Sequence, residues 1–390
     1  MVWMALVFSL AAQAVPYTMN DIGGTLDLPE TWSGKSYSDS DLTAELPSKR
    51  GKLMFRMWMT PYQVPLNEES AAAFSADYER RLGQIGGKSV TVVSQKPRQV
   101  GQHQTLWTVQ DFKNKSGADL KAQTAAIVGN GNVVHLRIWS GAQQGKAMRT
   151  SLEQMVSAFT LSSPPGTAGD RKVSATAGFE TSLPDGWRVP IGRESARVGS
   201  IISKLWTSKK GTDPCWVALR PVPVGNPDVM FACSRQWSGG PVDEHSFSSV
   251  DEELRELFFR TAAAEIPPAE QIAMGDRVGL MFRPREGVNA LRLATAPYDQ
   301  GLIVIWAQAG SLSGAALDAV VQGVAERTTF TGPDGGQPTI RGDKWLGYYL
   351  AHRPTSPLVL GPLLGILGLI GFLFSRRKKG GSKWDDVTEM

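Results

Sequence analysis

The sequence predicts an α+β fold made twice. Two tandem domains, each a mainly antiparallel sheet flanked by helices, precede one C-terminal transmembrane helix. Three observations lead there. A Leu-Pro-acid-x-Trp motif occurs at Leu28, Pro29, Glu30 and Trp32 and returns at Leu183, Pro184, Asp185 and Trp187. Each copy opens a stretch of domain length that ends in an Ile-Trp strand and an amphipathic helical pattern. Finally, Pro357 to Phe374 contains no charged residue.

Residues 1–14, MVWMALVFSLAAQA, read as a signal peptide. The run is short and apolar, and it closes on Ala12-Gln13-Ala14, a small-x-small cleavage pattern. It lacks the usual basic start, and the alternative is a buried first strand or helix.

The first domain is placed at 15–161. In its opening motif, proline ends the strand and fixes φ. The acidic side chain can bond its own backbone in the turn, and the tryptophan folds back over the core as a large apolar plug. No ligand is needed to explain it. LMFRMWM (53–59) is a strand, and a helix is expected from Glu68 to Gly83. SVTVVSQ, QTLWTVQDF and AQTAAIVG follow as alternating runs. Asn130-Gly131 then separates AAIVG from NVVHLRIW, a strong two-residue hairpin signal, and hairpin-joined strands pair antiparallel. The closing helix puts Met148, Leu152, Met155, Val156 and Phe159 at core-facing spacing.

SSPPGTAGDRK (162–172) is a Pro/Gly-rich linker. The second domain, 173–331, repeats the scheme. CWVALRPV and VMFACS are hairpin partners, and a helix is expected from Val250 to Ile266. RVGLMFRP, NALRLATAP and GLIVIW continue the sheet, and Leu317, Val320, Val321 and Val324 mark the closing helix. Cys215 and Cys233 flank the turn-rich PVPVGNPD and face each other if the hairpin bends near Val224. A disulfide there suits an oxidising compartment; the alternative is two buried thiols.

After a juxtamembrane linker (332–356), the apolar segment 357–374 rises about 27 Å as a helix, close to the thickness of a hydrocarbon core. Trp345, Tyr348 and Tyr349 precede it as interfacial anchors. Arg376, Arg377, Lys378 and Lys379 follow, and by the positive-inside rule the tail 375–390 is cytoplasmic, with the domains outside. Gly361 and Gly365 form a G-x-x-x-G pair, which fits helix pairing into a homo-oligomer or a glycine-rich monomeric anchor. A cleaved C-terminal sorting signal also places a basic cluster after an apolar helix. The residues after Lys379 favour a retained anchor.

Chemistry is sparse. The chain has four histidines, His103, His135, His245 and His352, none at H-x-x-x-H spacing. VGNGNVV lacks the Lys-Ser/Thr of a phosphate loop, and GSLSG does not put serine at the centre of Gly-x-Ser-x-Gly. Outside the run 376–379 acidic and basic residues balance, so no nucleic-acid partner is expected. No cofactor, metal or catalytic residue is expected.

The repeated motif, the antiparallel meander and the closing helix resemble the Mog/PsbP-like superfamily. That group includes the photosystem II oxygen-evolving P subunit, Ran-binding Mog proteins and exported bacterial proteins. The resemblance implies a sheet sandwiched by helices and a non-enzymatic binding or assembly role. The expectation is therefore a single-pass envelope protein in the lipid bilayer whose two outer domains bind a protein partner or assist assembly of a membrane complex. The alternative is a small-molecule or lipid receptor with a pocket between the domains. A hydrolase assembled from distant residues is a third reading.

Overall fold

The computed structural model describes residues 15–38, 41–48, 51–162, 172–175, 178–205, 216–237, 240, 242–244, 246–259, 265–284, 289–298, 301–331 and 345–378. The expected signal peptide, residues 163–171 of the linker, Cys215, His245 and everything from Lys379 on lie outside them. The chain folds into two compact units. One takes residues 1–171, 185–207 and 218–229, and the other takes 172–184, 208–217 and 230–390.

The first unit begins with β1 (Val15–Met19), β2 (Gly24–Leu28), β3 (Ser33–Tyr37), β4 (Asp41–Ser48) and β5 (Gly51–Thr60). Helix α1 (Glu68–Gln84) leads to β6 (Lys88–Val100), β7 (His103–Lys113), β8 (Asp119–Gly129) and β9 (Asn132–Gly141). Helix α2 (Gly145–Ala158) and β10 (Phe159–Leu161) close it. The main sheet has the order β3-β4-β5-β9-β8-β7-β6, and a small sheet has the order β1-β2-β10. Every pairing is antiparallel.

The second half of the chain runs β11 (Lys172–Ala175), β12 (Phe179–Ser182), α3 (Glu194–Leu205), β13 (Trp216–Arg220) and β14 (Asp228–Gln236). It continues with α4 (Phe247–Phe259), β15 (Glu270–Met274), β16 (Arg277–Phe282), β17 (Ala290–Tyr298), β18 (Gly301–Ala309), α5 (Gly314–Glu326) and β19 (Thr329–Phe330). Its sheets have the orders β13-β14-β18-β17-β16-β15 and β11-β12-β19. Each strand of the first half except β3 has a counterpart in the second, and in that interval the second half has α3. The repeated sequence is a repeated topology. Two helices end the described chain, α6 (Trp345–His352) and α7 (Pro357–Lys378).

Strand β9 explains why helices lie on both faces of the first sheet. Successive side chains on a strand point to opposite faces. Val134, Leu136 and Ile138 pack with Met148, Leu152, Met155 and Val156 of α2. Val133, on the other face, packs with Phe74 and Tyr78 of α1. A central strand buried on both sides needs a cover on both. Helix α1 is started by a capping box: Asn67 Oδ1 accepts from the Ser70 amide and Ser70 Oγ from the Asn67 amide, both at 3.0 Å.

Helix α4 begins at Phe247, three residues before the expected Val250. The cause is local. Asp243 Oδ1 accepts from the Ser246 amide (3.1 Å), and Ser246 Oγ accepts from the Asp243 amide (3.0 Å).

The β8–β9 turn is the expected Asn-Gly hairpin. Asn130 (φ 46°) and Gly131 (φ 79°) both adopt positive φ, the requirement of a type I′ turn. A Cβ on Gly131 would lie 2.8 Å from the Ile191 carbonyl oxygen, whereas one on Gly117 (φ 85°) would meet nothing within 4 Å. Gly117→Ala should therefore cost about 1–2 kcal/mol of backbone strain alone. Gly131→Ala should cost about 1–3 kcal/mol more from the clash. Chemical denaturation of the two variants checks this, and equal losses would refute the steric account.

Candidate functional site

The sequence-predicted residues fall into a structural pattern. Leu28 and Leu183 are fully buried, while Pro29 is exposed and Pro184 half-buried. Trp32 packs edge-on against Phe55, ring centroids 5.9 Å apart, and Trp187 is buried. Cys233 is buried in β14, and its expected partner Cys215 lies outside the described residues. Gly361 and Gly365 lie on α7 with open space around them. Arg376, Arg377 and Lys378 form its last turn. Among the described residues no group of three or more His, Cys, Asp or Glu side chains could hold a metal ion.

The structure also assembles three polar constellations from residues far apart in sequence. The first lies under α1. His135 Nδ1 is 2.7 Å from the Tyr78 hydroxyl and Nε2 is 2.9 Å from Thr60 Oγ1. A hydroxyl can donate or accept, so the neutral ring is satisfied in either tautomer. Trp58 stacks on the ring at 5.2 Å, and Phe74 meets it edge-on at 4.9 Å. Arg137 donates to Thr124 Oγ1 (2.9 Å) and lies over the faces of Trp58 and Tyr78. Burial first, then the charges of Arg81 and Arg137, hold the His135 pKa down at about 3. Burial likewise pushes the Tyr78 hydroxyl up and brings Arg137 down to about 10. His135 and Tyr78 are closed to solvent, so this cluster organises a core.

The second constellation fixes residues 185–207 within the first compact unit. Glu194, fully buried, takes a two-pronged pair from Arg188 at 2.6 and 2.7 Å. The amides of Gln63 and Ile191 complete its shell, both at 2.8 Å. Arg197 adds bonds to Asn132 Oδ1 (2.5 Å) and the Asp21 carbonyl (3.0 Å). With its lone pairs filled, Glu194 is a lock rather than a base waiting for a substrate.

The third constellation lies in the second unit, just before α7, and is the candidate site. His352 of α6 inserts against α4. Its Nδ1 is 2.8 Å from Ser249 Oγ, and its Nε2 is 2.9 Å from Glu253 Oε2. Trp237 Nε1 donates to the other Glu253 oxygen (2.9 Å). Arg353 pairs with Asp243, and Tyr348 bonds Ser246. The bond from His352 holds the Glu253 carboxyl below the usual carboxylate range, and burial pushes the Tyr348 hydroxyl up. Serine, imidazole and carboxylate in line is the composition of an acyl-transfer triad. Here, however, Ser249 Oγ also donates to the Ser246 carbonyl at 3.1 Å, so its proton is shared with the helix backbone. The arrangement clasps two helices together. Ser249 and His352 are 103 positions apart, and no local spacing announces the contact.

Two measurements test these assignments. A histidine kept neutral by burial favours unfolding once the unfolded chain can protonate. The contribution of His135 is full above about pH 6.5 and falls by about 1.4 kcal/mol per pH unit as pH drops toward 3. His135→Gln should flatten the stability-versus-pH curve of the first unit by about that slope; parallel curves would refute the assignment. Glu194→Ala should cost about 3–5 kcal/mol in urea denaturation, because it strands the Arg188 charge in a buried site.

No family model matches the chain, and no curated protein matches it. Solved structures do. A Pseudomonas aeruginosa protein of unknown function, PA94, is 15% identical with a TM-score of 0.26, covering 40% of this chain and 99% of its own. The Saccharomyces cerevisiae Ran-binding protein Mog1p is 11% identical with a TM-score of 0.29, covering 39% of this chain and 96% of its own. Cyanobacterial PsbP from Synechocystis sp. PCC 6803 is 8% identical with a TM-score of 0.27, covering 41% of this chain and 98% of its own.

Proposed function

We propose that the chain is a membrane-anchored, non-enzymatic protein that carries its two units outside the cytoplasm and uses them to hold a protein partner or to assist assembly of a membrane complex. The observation that carries this reading is α7. Its 18-residue window Pro357–Phe374 has a mean hydropathy of 2.3, and only 6% of it is buried. A core helix of this composition would be covered by protein, whereas this one presents Leu364, Leu367, Leu369 and Phe374 outward. Apolar surface on that scale is stable in lipid and costly in water. The basic residues from Arg376 onward set the cytoplasmic end. The polar clusters support a binding role, because the acceptors of Glu194 and both ring nitrogens of His135 and His352 serve internal bonds.

Alkaline carbonate extraction of native membranes followed by crosslinking and mass spectrometry tests both parts. The full chain should stay in the membrane pellet, and a chain ending at residue 356 should move to the supernatant. A single stoichiometric protein partner should crosslink to the units. Release of the full chain by carbonate would overturn the anchor, and self-crosslinks alone would overturn the partner.

A further inference from the structure

Helix α6 has two unlike faces. Tyr348 (5% exposed) and His352 (7%) lie one helical turn apart and turn toward α4. Around the helix from them, Gly347, Leu350 and Ala351 are exposed, Leu350 at 48%. In WLGYYLAH the polar side-chain groups are His352, the two tyrosine hydroxyls and the Trp345 indole N–H. His352 and Tyr348 spend theirs on Ser249, Glu253 and Ser246. The outward face is apolar.

The connection to α7 limits what can cover that face. Arg353 to Ser356 are the residues between the helices, and four residues reach at most about 14 Å when extended. They are not extended: the Arg353 amide bonds the Tyr349 carbonyl, the Ser356 amide bonds the Arg353 carbonyl, and the Val359 amide bonds the Ser356 carbonyl, all at 2.9 Å. If α7 crosses the bilayer, α6 ends within that reach of its surface.

We propose that α6 is an interfacial helix: its His352–Tyr348 face grips α4, and its Leu350 face lies in the headgroup region of the membrane, so the second unit is seated on the lipid surface rather than tethered above it. The proposal rests on the reading of α7 as a membrane span. The occupant is a lipid surface because chain continuity supplies one beside α6. A helix in this position sinks its apolar side about 5–10 Å toward the acyl boundary. The aromatic composition of α6 suits that depth, where the sequence had placed Tyr348 as an anchor. Tyr348 itself faces protein, and under this proposal the lipid contact falls to Leu350 and Ala351.

The test is site-directed spin labelling of the full chain in phospholipid nanodiscs. Nitroxides are placed at Leu350, at Leu364 within α7 and at Val278 on β16 as a water-exposed reference. Collision with oxygen reports lipid, and collision with a water-soluble nickel chelate reports water. The expected oxygen-to-nickel ratio at Leu350 is several-fold above that at Val278 and below that at Leu364. A ratio at Leu350 equal to that at Val278, with Leu364 high, would overturn the proposal and leave the anchor standing. Low ratios at both positions would overturn the anchor itself. Shielding of Leu350 from both reagents would also overturn the proposal, since protein would then cover the face. In His352→Ala, which removes the grip on α4, the Leu350 label should keep its lipid exposure while gaining mobility in its spectrum.

Discussion

Burial of one strand on both faces is the constraint from which the first unit follows. Strand β9 pairs with β5 on one side and β8 on the other. None of its residues from Asn132 to Ile138 reaches solvent. Each backbone group there must bond within the sheet, and each side chain must find a partner in a helix layer. That requirement fixes α2 over Leu136 and α1 over His135. It also explains why the chain makes the long crossover from β5 through α1 to the far edge at β6 before filling in toward the middle. The last strand inserted, β9, completes both cores at once.

The second half keeps this topology and changes the chemistry. Aligned on the shared Ile-Trp pairs, Ile138-Trp139 and Ile305-Trp306, His135 corresponds to Leu302 and Arg137 to Val304. Leu302 and Val304 are fully buried and apolar. In the second unit Trp306 stacks with Phe231 and packs against Phe259 of α4, which meets Phe282 at 5.9 Å. A buried histidine is therefore not a requirement of the fold. The polar nucleus of the first unit is an elaboration in which Tyr78 and Thr60 satisfy His135 and Thr124 takes the Arg137 Nε–H, while Arg137 Nη2 and Trp58 Nε1 stay without a hydrogen-bond partner. One scaffold accepts either solution because each gives a filled layer.

Periodic and local features were legible in the sequence; long-range polar contacts were not. The strands, the Asn130-Gly131 turn, the α1, α2 and α5 patterns and the duplicated motif depend on side chains within a few residues of one another, so they leave a trace in spacing. The burial of Trp32 and Trp187 follows from their size and position after a proline-ended strand. Helix α3 and strands β3, β4 and β15 are not among the elements the sequence pattern predicts. The first turn of α3 is pinned by Glu194 to Gln63, 131 positions away, a contact that local propensity does not encode. The clasp at His352 is similar: Ser249 and Glu253 of α4 meet His352 only when α6 folds back on α4. The residue count of the histidines was readable, and their partners were not.

The clasp also bears on why α6 is a helix at all. Its eight residues are too few to be stable alone in water, where helix nucleation is costly and each end leaves backbone groups unpaired. Two supports compensate. One is the contact with α4, where His352 and Tyr348 exchange solvent for bonded partners. The other is the tight turn at Arg353–Ser356, which carries the backbone hydrogen bonding of α6 on toward α7. Arg353, at the junction, pairs with Asp243, the residue whose carboxylate also caps the start of α4. A single carboxylate thus ties the beginning of α4 to the end of α6. Asp243 couples the start of one helix to the chain's passage into the apolar helix α7, so α4 and α7 are joined through a folded element.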